Sequence, residues 1–61
     1  MYVVANRRCG MILIEVVLTQ TGYHVRSNGN HVATFFSRAS ACRRMEALAG
    51  PNAPGNDFYD A

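Results

Sequence analysis

No tryptophan and no lysine occur in this 61-residue chain, and all six basic residues are arginine. Guanidinium is therefore the only permanent side-chain cation, a planar fork suited to bidentate contacts, although a GC-rich coding bias would leave the same mark. Cysteine is scarce. Cys9 and Cys42 are too few for a secreted disulfide scaffold, so two reduced thiols in a cytoplasmic protein are expected. Long apolar runs are missing too: the longest, residues 11–18, is interrupted by Glu15. It falls far short of the ~20 residues that span a bilayer and lacks the small-residue cleavage site of a signal peptide, so no membrane partner is expected. No glycine-rich phosphate loop is present. The mass is only 6.7 kDa, and at that size folding removes about 60% of the unfolded chain's surface. One small domain fits; a multidomain enzyme or a cofactor fold of ordinary size does not.

What is present is a chain rich enough in apolar residues, 49%, to build a core. It divides into a body, residues 1–50, and a tail, residues 51–61, which opens with two prolines and a glycine and cannot continue a helix. In the body, residues 2–5 read as a short strand and residues 6–10 as a turn. Residues 11–19 are the strongest strand signal, with Ile12, Ile14, Val16, Val17 and Leu18. Thr21-Gly22 reads as a tight turn. Residues 23–27 and 31–36 then form a hairpin about Asn28-Gly29, because both central positions of a type I′ turn require positive φ. Ser37 or Ser40 can cap a helix through Arg38, Ala41, Met45 and Leu48, which Gly50 and Pro51 end.

Two-residue turns fix the register, and side chains alternate between faces. Arg26 is then expected opposite His31, Val25 opposite Val32, His24 opposite Ala33, Leu18 opposite Val25 and Val17 opposite Arg26. One face carries Ile12, Ile14, Val16, Leu18, Tyr23, Val25, Val32, Thr34 and Phe36. The helix covers it with Ala41, Cys42, Met45, Leu48 and Ala49, leaving Arg38, Arg43, Arg44 and Glu46 in water. The expected fold class is α+β, an antiparallel three- to four-stranded meander sheet with one C-terminal helix packed on one face.

A one-helix domain has nothing left to cover the second face, which carries Met11, Leu13, Glu15, Val17, His24, Arg26, His31, Ala33 and Phe35. Five apolar residues clustered on one uncovered face mark an interface. Arg7 and Arg8 in the first turn and Arg38, Arg43 and Arg44 on the helix are solvated charges or, with Arg26, phosphate contacts. Cys9, Cys42, His24 and His31 have the right count for zinc but the wrong spacing, and the register places Cys42 on the face opposite both histidines. The same separation denies a Cys–His catalytic pair. Glu15 and Glu46 lie on different elements, so no carboxylate pair forms, and so small a domain offers no cleft that excludes water. No catalytic residue, metal, cofactor or small-molecule substrate is expected. In the tail, Phe58 and Tyr59 flanked by Asp57 and Asp60 suit a docking motif. The body is charged +4 and the tail −2, so the tail is also placed to fold back over its own arginines.

The run of strand, Asn-Gly turn, strand ending in Thr34-Phe35-Phe36, and alanine-rich helix opening Ser37-Arg38-Ala39-Ser40-Ala41 resembles the sheet-plus-helix domain of plant ethylene-response factors and the arm-binding domains of tyrosine integrases. That resemblance, over residues 23–48, implies that Arg26 and His31, with His24 beside them, face DNA. The families' several sheet-face arginines and tryptophans are replaced here by Met11, Leu13, Val17 and Phe35. In size and style the chain also resembles small phage- and mobile-element-encoded inhibitors, anti-CRISPR proteins included, which cover a surface on a host complex. The leading expectation is a non-enzymatic protein-binding module, acting on a host or phage protein complex or on itself as a homodimer. Met11, Leu13, Val17 and Phe35 would supply apolar area, and His24, Arg26 and His31 polar specificity. A partly buried His24 or His31 would make binding respond between about pH 5.5 and 7. The alternative is a nucleic-acid-binding accessory protein using Arg7, Arg8, Arg26, Arg38, Arg43 and Arg44.

Overall fold

A computed structural model describes residues 1–58. Four strands, β1 (Tyr2–Cys9), β2 (Ile12–Thr19), β3 (Gly22–Ser27) and β4 (Asn30–Phe35), precede one helix, α1 (Arg38–Ala49). The strands form an antiparallel meander in chain order, and α1 packs across one face as the alternation requires. The β-branched run of β2 explains the centre of the sheet. Val16 pairs with Ala5 on one side and Val25 on the other, and all three are fully buried. Ala41, Met45 and Ala49 close over this row together with Val4 and Ile14. Met45 is the largest fully buried side chain, worth about 1.5–3 kcal/mol of apolar burial.

Local chemistry sets the element ends. Asn28 (φ 50°) and Gly29 (φ 84°) both take the positive φ of the expected hairpin turn. Asn28 also bonds β2: its Oδ1 accepts from the Leu13 N–H at 2.9 Å, and its own N–H donates to the Leu13 carbonyl at 2.8 Å. Ser37, rather than Ser40, caps α1, its Oγ accepting from the Ser40 N–H at 3.1 Å. At the other end the Gly50 N–H donates to the Glu46 carbonyl at 2.8 Å.

Three features depart from simple alternation. The β2–β3 turn is Gln20-Thr21, so Val17 faces His24 and Leu18 faces Tyr23, a displacement of two residues that leaves the faces unchanged. In β1 the pairing skips Val4, between Val3–Val17 and Ala5–Val16, and this bulge turns Val4 and Ala5 both toward the helix. In β4 a second bulge skips Val32. Arg26 still pairs with His31, but Val25 now pairs with Ala33, His24 with Thr34 and Tyr23 with Phe35. The extra residue inverts the rest of β4. Phe35 packs against the core cluster, with the Arg44 guanidinium 5.6 Å from its ring centre, whereas Phe36 stands 94% exposed. Leu48, expected in the helix stripe, is 45% exposed.

β1 also runs four residues further than its composition suggests, because its outer edge is occupied. Residues 54–58 lie antiparallel along it, with the Asn6 N–H donating to the Asn56 carbonyl, the Arg8 N–H to that of Pro54 and the Phe58 N–H to that of Val4, each at 2.8 Å. Ala5 bridges Asp57, and Ala53 packs against the core. The tail docks through its backbone and Asp57; the Phe58 side is half-exposed. Tyr59 and Asp60 fall outside the described residues.

Candidate binding surface

The face away from α1 is built in rows by the register. Asn6, Glu15, Arg26 and His31 form one row; Val17, His24 and Thr34 form the next, flanked by Val3. His24 and His31 meet edge to face with ring centres 5.1 Å apart. Their Nε2 atoms sit among hydroxyls: His24 lies 2.8 Å from Thr21 Oγ1 and 3.2 Å from Thr19 Oγ1, and His31 lies 3.3 Å from Thr34 Oγ1. Arg26 reaches the Met1 sulfur at 3.7 Å. Two hollows open on this side. One, of about 380 Å³, is lined by Met1, Thr19, Gln20, Thr21, His24 and Arg26; the other, of about 290 Å³, by Asn6, Arg8, Leu13 and residues 54–56.

The structure gathers five of the seven expected partner-binding residues here and removes two. Leu13, Val17, His24, Arg26 and His31 share the uncovered face. Met11 sits in the β1–β2 turn, 93% exposed, and Phe35 lies on the helix side because of the Val32 bulge. Nor is Val17 available as an apolar contact: flanked by Val3 and His24, it is 3% exposed. The face is therefore hydroxyl- and imidazole-rich, with Leu13 half-buried at its margin, and is not the apolar patch that strict alternation implies.

The arginines do not form one patch. Arg7, on a strand and not in a turn, points to the helix side and makes a two-pronged pair with Asp57, at 3.0 and 3.2 Å. It also lies 3.5 Å from Glu46 of α1. The hydrogen bond to Asp57, reinforced by both carboxylates, raises its pKa above the ordinary arginine value against the opposing effect of burial. Arg38, expected in water, crosses β1 and donates to the carbonyls of Val4 at 3.0 Å and Phe58 at 2.8 Å. Both side chains join tail, strand and helix. Arg8 and Arg26 face the uncovered side, Arg26 directly beside Glu15, while Arg43 and Arg44 are exposed on α1, which covers the opposite face.

Thiols and imidazoles stay apart. Cys42 packs against the core, and burial pushes its thiol pKa upward; Cys9 is exposed at the end of β1. Among the described residues no three His, Cys, Asp or Glu side chains converge as they would around a metal ion.

Strict alternation missed the second edge of the sheet. The β1 edge is paired by residues 54–58, but among the described residues nothing pairs with the outer edge of β4. That strand, Asn30–Phe35, carries no carboxylate or guanidinium. Within it Val32 is 39% exposed, and Phe36 stands exposed just beyond its end. The sequence signal was Val32-Ala33-Thr34-Phe35-Phe36, where adjacent phenylalanines leave open which one faces inward. Comparison of the chain with protein-family models, curated proteins and solved structures finds no match.

Proposed function

We propose that this protein is a non-enzymatic binding module that pairs an extended protein segment with the open edge of β4. The carrying observation is the asymmetry of the sheet edges: one is satisfied by the chain's own residues 54–58, and the other, among the described residues, presents unpaired backbone groups along a strand with exposed Val32 and with Phe36 just beyond its end. An edge strand offers a row of backbone donors and acceptors. Backbone pairing supplies affinity, and apolar side chains beside it supply selectivity. His31 and Thr34, on β4 and on the uncovered face, border the same edge. Two unpaired thiols support a reducing, cytoplasmic setting.

The test compares tagged wild type with Val32→Lys in extract from the native host. A lysine on an edge blocks strand addition, so a partner identified by mass spectrometry should be held by wild type and lost by the variant. Hydrogen exchange with that purified partner should protect β4 amides. A partner held equally by both forms overturns the reading.

Nucleic-acid binding is a second reading, favoured by the Arg26–His31 pair on the uncovered face, the position that the ethylene-response-factor resemblance implies. Contacts to several phosphates make binding fall steeply with salt. A gel shift at two salt concentrations tests it, and no shift at the lower one removes it.

A further inference from the structure

We infer that the occupant of the β4 edge is a second copy of this chain, the two β4 strands pairing antiparallel about a two-fold axis; this rests on the edge-binding reading above. Three observations favour a copy over an unrelated strand. First, β4 holds no carboxylate, guanidinium or ammonium, so opposing it to itself brings no permanent like charges together, the usual obstacle to self-pairing. Second, the exposed apolar side chains flank the edge at two points, Val32 in the middle and Phe36 just beyond the end. A two-fold axis duplicates both, so that each copy's Phe36 lies over the start of the other's strand. Third, each copy has one edge already covered by residues 54–58, so pairing through β4 leaves no second unpaired edge. Two copies satisfy each other and growth stops at a closed, isologous pair.

The product is a continuous eight-stranded sheet with both helices on one face. Arg44, whose guanidinium lies over Phe35 of β4, is then brought toward its symmetry mate, so added salt strengthens association by screening. A six-residue edge is smaller than a standard interface of about 1,600 Å², so the dimer is weak.

Sedimentation equilibrium or light scattering from about 10 µM to about 1 mM, the range in which so small an interface responds, should show the mass rising from 6.7 kDa toward twice that value and levelling there. Val32→Lys places two lysines side by side at the axis and should abolish the rise, as should Val32→Glu. Mixing the two variants should restore it through opposite charges. Phe36→Glu, at a position with no packing role in the monomer, provides the same loss should a charge at Val32 disturb the bulge, with far-UV circular dichroism reporting the fold. A wild type that stays at 6.7 kDa throughout, or a Val32→Lys chain that associates equally well, overturns the proposal. The edge-binding reading fails separately: a monomeric wild type whose captured partner is still lost on Val32→Lys keeps the edge and rejects only the second copy.

Discussion

Single residues decide how the two edges of this sheet differ. Gly55 is the clearest, because a Cβ there would run into the Asn6 carbonyl and sit 2.8 Å from the Arg7 Cα. Gly55→Ala should therefore lift residues 54–58 from β1, seen as faster hydrogen exchange at the Asn6 and Arg8 amides. Net backbone bonds are worth about 0.5–1.5 kcal/mol each, so with three seam bonds lost a drop in stability of roughly 1.5–4.5 kcal/mol is expected. Unchanged exchange at both amides would contradict the docking of the tail. Cys42 gives a pH prediction. Burial raises its thiol pKa in the folded chain, so the unfolded chain loses that proton first. The stability tied to the neutral thiol is fully present below the ordinary cysteine range and declines as pH rises through it. Cys42→Ala should flatten this alkaline slope in denaturant titrations. The exposed Cys9 should also be alkylated well before Cys42 in the native protein.

Elements were legible in the sequence where one residue type has one mechanism. Asn28-Gly29 demanded positive φ and obtained it, and Gly50 followed by Pro51 closed the helix where expected. The apolar stripe of Ala41, Met45 and Ala49 likewise found the core, and Met45→Ala should cost about 2–5 kcal/mol. For a domain this small that removes most of its stability, which thermal unfolding would show directly. What could not be read was long-range. Asn6-Arg7-Arg8-Cys9 contains no strong strand former and becomes strand because residues some fifty positions later pair with it. The two bulges were hidden for a related reason: skipping Val4 or Val32 is decided by what packs against the helix, and alternation carries no record of it. The site was misread through the same slip, with Phe35 assigned to the open face and Phe36 to the core.

For the whole molecule, the modest net charge of +2 averages over a folded arrangement in which residues 54–58, with Asp57, lie on the basic body. Asp57 meets Arg7, and Arg38 holds the Val4 carbonyl of β1 and the Phe58 carbonyl of the tail. Asp57→Asn should loosen this seam by about 1–2 kcal/mol, as expected for a two-pronged charged hydrogen bond, measurable as a lower unfolding midpoint at neutral pH. Exposing both edges at once is the sharper test of the assembly: Gly55→Ala should extend the mass beyond that of a pair, because each copy would then offer two pairing edges. The seam also has a mechanical side. Phe58 lies beside Val4, and residue 54 beside Arg8, so tension applied from the C-terminal side reaches the Val4–Phe58 bond first and the others in turn. Bonds loaded one after another peel like a zipper, whereas strands pulled lengthwise would resist in shear. A motor drawing on the C-terminal side would thus strip residues 54–58 at low force before the buried row around Val16 felt any load, and optical-tweezers traces should show that small early extension ahead of the main rip.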